Sequence, residues 1–334
     1  MPDLGGAGLS RARLAALLVV AATAALVCVA GDRGFAAGPA TANAPTYGDP
    51  FWSFWGDGKG ELAGYDLTFP RYGELREGVA VTVFVTETFS NSLRVKSDPG
   101  KHPKPDEFPV MKLNLVRDFP TGIYDYNLMT SAFVALEPVN GRPAGSATKV
   151  AFSSQEWCGL VYSQLSFDDA SARLVSHSYF DGEADQQRTI EAPNDAISLD
   201  CLPLWARGFA GPVLAPGEKR TVRTVGSLVT TRLLHQPLEL GQATLARAAE
   251  KEMRVVRAGR FEVERYTATV TGGPTLTYWV ETAKPHRIVE WMSTDGEHAQ
   301  LLASDRLKYW ELHDLGGVKY LARLGLTPRG LRMP

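Results

Sequence analysis

At 334 residues and 44% apolar composition, the chain is long enough for one large or two modest cored domains. A formal charge of −2 and a pI near 6.3 leave no basic footprint, which excludes nucleic-acid binding driven by electrostatics. The N-terminus is a different material from the rest. Arg11 and Arg13 precede Leu14–Ala30, seventeen small or apolar residues in a row, which is the charged and apolar pattern of a secretory signal. A run of that length also reaches the lower limit of a membrane-spanning helix, so an uncleaved anchor is the alternative. Either way residues 1–30 predict export to the periplasm or cell envelope, with cleavage after Ala30, Ala42 or Ala44. Cys28 raises lipid attachment as a third option, although Val27 directly before it and Ala25 two residues earlier fit that signal poorly.

Residues 31–46 are Gly- and Ala-rich linker. Order is expected from Tyr47–Trp55, whose PFWSFW run reads as a first core segment or as an aromatic ligand platform or membrane-interface anchor. Gly56–Gly60 is a turn without the spacing of a phosphate loop or the acidic ligands of a calcium loop. Glu61–Arg71 and Glu77–Ser90 read as strands joined at Tyr72-Gly73-Glu74. Val79, Val81, Val83 and Val85 share one face, with Thr82, Phe84 and Thr86 on the other. Ser97–Phe108, with three prolines, is a surface loop. Val110–Arg117, Ile123–Glu137, Lys149–Glu156, Leu160–Asp168 and Ala172–Asp181 continue the strand pattern, and Gln186–Asn194 is polar and irregular. Residues 47–192 thus form an N-terminal β-rich half.

Asp200 as N-cap, Pro203 in the first turn and Gly208 as terminator predict a short helix over Cys201–Arg207. Glu218–Leu228, Thr230–Leu240, Thr244–Ala249 and Met253–Val256 carry β signals, and Leu245–Glu252 reads equally as a helical turn. Arg260–Val270 alternates cleanly into a meander of Thr275–Glu281, His286–Ser293 and Glu297–Trp310, whose Asp295-Gly296 is a strong hairpin signal. Residues 193–313 thus form a C-terminal β-meander half. The Gly- and Arg-rich tail, 314–334, is expected to be mobile. The fold class is mainly β: curved antiparallel sheets, half-barrel-like, as one continuous body or as two halves meeting near Pro193–Pro216.

The candidate chemistry is sparse. In an exported chain Cys158 and Cys201 are expected to form a disulfide rather than two buried free thiols. A two-residue loop at Asp295-Gly296 would set Ser293 opposite His298, Trp291 opposite Gln300 and His286 opposite Asp305. His286 and His298 would then lie roughly 23 Å apart at strand rise, too far to share a metal. The other histidines lack zinc spacing, so no metal site and no cofactor is expected. Glu156 and His177 are the candidate catalytic residues of a hydrolase, with Cys158 as an imaginable nucleophile; no Gly-x-Ser-x-Gly elbow is present. Trp279 and Trp291 are the candidate ligand-binding residues. Val289, Trp291 and Leu302 fall opposite Ile288, Met292 and Leu301, and a sheet apolar on both faces must cover both, with a second layer or with a ligand.

The blocks WGDGKGEL, PRYGELREG, VFVTE, TGIYDYNLMTSAF, FSSQEWCG and YWVETAKPHRIVEW resemble a family of uncharacterised bacterial secreted proteins and lipoproteins, over about Phe51 to His313. The resemblance implies an envelope location and brings no assigned activity with it. The C-terminal third is also similar in pattern to domains of unknown function built like the periplasmic lipoprotein-carrier half-barrels, a likeness of fold alone. The reading that results is a non-catalytic cell-envelope protein. Its expected partner is a hydrophobic or lipid-like ligand or an envelope protein, with membrane association through the N-terminus. A secreted hydrolase and a structural assembly protein are the alternatives.

Overall fold

The computed structural model describes residues 44–328. Leu14–Ala30 and Cys28 lie outside them. A seven-residue helix α1 (Asp49–Trp55) opens the described chain, with Pro50 in its first turn where the missing N–H costs nothing. Eight strands follow as an up-and-down meander: β1 (Gly60–Arg71), β2 (Glu74–Ser90), β3 (Glu107–Thr121), β4 (Tyr124–Ala135), β5 (Ala147–Glu156), β6 (Gly159–Phe167), β7 (Ser171–Ser178) and β8 (Gln186–Glu191). The chain then passes through β9 (Ile197–Ser198) into α2 (Leu202–Ala206), β10 (Lys219–Val225) and α3 (Leu228–Leu234). It ends in β11 (Leu240–Arg247), β12 (Glu252–Val256), β13 (Gly259–Val270), β14 (Thr275–Glu281), β15 (Ile288–Ser293) and β16 (His298–Leu307).

Among the described residues these sixteen strands make one sheet. Its centre is the antiparallel pairing of β1 with β16, from Gly60 opposite Leu307 to Thr68 opposite His298. From that seam β2–β8 extend one arm in sequence order, while β15, β14, β13, β11, β10 and β9 extend the other, with β12 paired beside β13. The two halves expected from the sequence are therefore two arms of one sheet. The sheet curves, because one short stretch meets both arms. Trp205 packs edge-on against Tyr266 of β13, while the Arg207 guanidinium lies 4.3 Å from the centre of the Phe84 ring on β2.

That stretch is the centre of the core. All five residues of α2 are buried. Arg207, just past its end, is fully engaged. It grips Glu61 of β1 through two nitrogens at 2.6 and 3.2 Å and donates to the carbonyls of Pro285 and His286, each at 2.9 Å. A buried ion pair compensates for its desolvation only with such geometry. The expected helix is thus present, but Asp200 does not cap it; Cys201 is the N-cap and its side chain makes no cap bond.

Other expectations are also met differently in the structure. Cys158 and Cys201 are both free thiols. Cys158 is exposed at the β5–β6 turn, 3.9 Å from the Tyr124 hydroxyl, whereas Cys201 is inside the sheet, where burial pushes its thiol up. The β signal of Thr230–Leu240 gives way to α3, which the Ser227 hydroxyl caps by accepting from Val229 and Thr230 N–H groups. The β15–β16 loop holds three residues rather than two. Gly296 adopts φ 112°, Ser293 N–H reaches Glu297 O at 2.8 Å, and the ladder slips by one so that Met292 faces His298 and Glu290 faces Gln300. Leu301 rather than Leu302 therefore joins Trp291 in the main core. Regular structure also continues into the tail. A 3₁₀ segment, Leu315–Leu324, lies over the outside of β1 and β16, and Leu324 and Leu326 pack on Leu62 and Val83. Gly64 permits this approach: a Cβ there would meet the Leu324 carbonyl oxygen at 2.2 Å. Gln186–Asn194, expected irregular, supplies the edge strand β8.

Candidate functional site

Because the strands alternate, each sends every second side chain inward. On β1 these include Leu67, Phe69 and Arg71, and on β3 they are Leu113, Leu115, Arg117 and Phe119. The turns that join β1 to β2, β13 to β14 and β15 to β16 gather at one end, because β1 ends where β16 begins. The β10–α3–β11 connection lies at the same end, since Val225 pairs with Leu240. While α2 fills the middle of the sheet, α3 stands away from the wall at this end and leaves a chamber of about 720 Å³. Small-molecule sites commonly measure ~300–1,000 Å³.

Its walls are largely apolar: Phe69 and Leu115 from one arm, Leu276 and Tyr278 from the other, Val229 and Leu233 from α3, and Pro203 from α2. Two polar pairings cross it. Arg117 binds Glu297 through Nε to Oε1 at 2.8 Å and Nη2 to Oε2 at 3.2 Å, linking β3 to the start of β16. Trp291 Nε1 donates to the same carboxylate at 2.8 Å. Asp200 accepts from the Ser227 hydroxyl at 2.6 Å and from Leu228 N–H at 2.9 Å, so it caps α3 rather than α2. Burial pushes its carboxyl above the ordinary aspartate range, against the opposing pull of those two bonds. Burial likewise raises the Tyr278 phenol. Two lining hydroxyls, on Thr130 and Ser293, are buried and make no hydrogen bond.

At the mouth Arg71 reaches from β1 to α3, donating to Leu233 O at 3.2 Å and to the Tyr126 hydroxyl at 3.1 Å. Its guanidinium carbon lies 4.2 Å from the centre of the Tyr72 ring, and the Tyr72 and Tyr126 hydroxyls are 2.6 Å apart. Burial alone would raise the Tyr72 phenol, but bonds with Tyr126 and Tyr124 and the charge of Arg71 outweigh it and lower its pKa. The neighbouring Tyr124 is pushed up to about 12, chiefly by its bond to Tyr72.

The residues singled out from the sequence are scattered around this chamber. Glu156 points inward from the end of β5 to Arg232 of α3 at 3.4 Å, both side chains buried, and its other oxygen accepts from Cys158 N–H at 2.6 Å. His177 points outward from β7, where it faces Tyr162 across the ladder and bonds Asp185 at 2.8 Å in solvent. Glu156 and His177 thus lie on opposite faces of the sheet and do not converge, which removes the geometry that a hydrolase built on them needs. Trp279 and Trp291 also separate. Trp291 is inward against Tyr65, with ring centres 4.6 Å apart, while Trp279 is outward beneath Arg254 and donates to Glu252. Neither lines the chamber. His286 and Asp305 do not pair; Asp305 faces Leu62 and forms an ion pair with Arg323. Sequence reasoning missed Arg71, Arg117 and Glu297. A signal existed in β3, where Arg117 occupies an inward position between Leu115 and Phe119.

On the far side of α3 a second space of about 270 Å³ is lined by Ser163, Ser176, Glu183 and His235, and Thr231 and Leu238 border both spaces. The His235–Glu183 contact and the Arg232–Glu156 pair hold α3 against β5 and the β7–β8 loop.

The fold and chamber define a mainly β protein, one open, curved sheet holding two short helices, with an apolar hollow at one end. No protein-family model matches the chain and no curated protein matches it. Among solved structures it is similar to a β-barrel-like protein of a domain of unknown function, DUF1849, from Brucella abortus. Identity is 10%, the match covers 74% of this chain and 98% of that one, and the TM-score is 0.42.

Proposed function

We propose that this chain is an exported envelope protein that binds an apolar or lipid-like ligand in the chamber beneath α3 and does no chemistry on it. The observation that carries the reading is the chamber itself: about 720 Å³ behind mostly apolar walls. The demand that an apolar two-faced sheet be covered supports it only there. Elsewhere the chain covers itself, inside with α2 and outside with Leu315–Leu324. Deep in the hollow Arg117 is held by Glu297 and Asp200 by Ser227, which suits a binding site better than a reacting one. Export rests on Arg11, Arg13 and Leu14–Ala30, and on the resemblance to secreted proteins.

The test is native mass spectrometry of protein purified from membranes without added lipid, followed by denaturing extraction. A bound lipid-like mass, lost on denaturation and absent from a chamber-filling Leu115→Trp variant, is expected. A bare wild-type chain would overturn the reading and turn attention to partner proteins.

A further inference from the structure

The cations that line the chamber differ in what holds them. Arg117 is neutralised by the two oxygens of Glu297. Arg71, at the mouth, forms no ion pair with any described carboxylate; its partners are a carbonyl and two phenols, and its Nε makes no hydrogen bond. A guanidinium keeps its charge at any physiological pH. This one is also held in place. Phe69, Phe119 and Tyr126 stack in succession beside it at 4.8 and 5.3 Å, and Tyr126 and Leu233 fix its two terminal nitrogens. Two carboxylates, Glu239 and Asp295, also line the mouth, but both are exposed, where water and salt screen them. The half-buried, unneutralised Arg71 acts through a lower dielectric and dominates the field on an anion seated in the mouth.

We infer that the ligand is an amphiphile with an acidic head, its chain lying along Leu115, Leu276 and Leu233 and its head bound by Arg71 beside the Tyr72 and Tyr126 hydroxyls. The inference rests on the chamber being a ligand site. A carboxylate or phosphate head meets a planar donor already fixed in position, so little side-chain freedom is lost on binding. An alcohol of the same chain keeps the apolar contacts and forgoes the charge-assisted bond. An amine meets Arg71 as a like charge.

The experiment is a binding titration of the purified protein, read by native mass spectrometry, with sodium hexadecanoate, hexadecanol, hexadecylamine and inorganic phosphate. Wild type, Arg71→Gln and Arg71→Lys are compared, with thermal unfolding as the check on folding. In wild type the acid is expected to bind on the order of tenfold tighter than the alcohol, the ratio of one charge-assisted contact at a half-solvated site. Arg71→Gln should erase that ratio while leaving alcohol binding in place, and Arg71→Lys should retain part of it. The amine binding as tightly as the acid, or the acid preference surviving in Arg71→Gln, would overturn the head-group assignment and leave the chamber reading standing. Phosphate alone matching hexadecanoate would show an anion site with no use for a chain, and would overturn the amphiphile. Binding of none of the four overturns both readings. If Arg71→Gln does not fold, the wild-type head-group series and Arg71→Lys still decide.

Discussion

Two short helices enter the same sheet and do opposite things. In α2 every residue is buried, and Arg207 behind it is tied to Glu61, Pro285 and His286. In α3 only Leu228 and Arg232 are buried, and the remaining residues border hollows or solvent. The difference lies in composition. Leu202-Pro203-Leu204-Trp205-Ala206 offers apolar surface all round and belongs in a core. Leu228-Val229-Thr230-Thr231-Arg232-Leu233-Leu234 carries three polar residues that cannot all be buried, so it rests on polar struts: Asp200 and Ser227 at one end, Glu156 and Glu183 further on. One helix is a plug and the other is a wall.

That contrast makes ordered predictions. Trp205→Ala should cost the most, about 3–5 kcal/mol, measured by denaturant unfolding, since it removes the largest side chain of the plug. Glu61→Gln leaves Arg207 buried without its counter-charge; a loss of about 3 kcal/mol is expected, and a neutral result would show that the carbonyl bonds alone hold the guanidinium. Ser227→Ala removes the hydroxyl that caps α3 and donates to Asp200, about 1 kcal/mol. Amide exchange there should quicken over Leu228–Leu234 and stay slow over α2; equal quickening in both would abolish the distinction between plug and wall. The smallest effect is pH dependence at Asp200. Its folded pKa is raised, so the folded state holds this proton more tightly than the unfolded chain does. The carboxyl therefore costs nothing in acid, and its cost grows as pH rises from about 3.9, the ordinary aspartate value, to the raised one. Asp200→Asn should accordingly look worst against wild type in acid and recover part of the difference at neutral pH, in unfolding measured across that range.

The strands were legible because their signals are local. Tyr72-Gly73, both at positive φ, mark a tight turn, and the alternation of β2, β3 and β13 sets their length. The α3 helix was not, because its valine and threonines favour strands while its stabilisation comes from Asp200 and Glu156, distant in sequence. Ser227 was the readable hint of an N-cap. The tail had a signal too: Leu315, Val318, Leu321 and Leu324 recur at every third residue, the 3₁₀ period, and Gly325 ends the run in the left-handed region. The register of β15 and β16 failed by one residue, since Asp-Gly serves a three-residue loop as readily as a two-residue one. The chamber itself was illegible. It exists where α3 fails to fill, and Arg71, Arg117 and Glu297 meet in it only because strands remote in sequence share a sheet.

The seam between β1 and β16 has a consequence for how the molecule is made. The middle of the sheet joins residues 60–68 to residues 298–307, so the first strand synthesised waits for the last. Until then β1 presents an open edge, and a non-local pairing of this span closes slowly. A chain built this way cannot complete its core while it is still emerging.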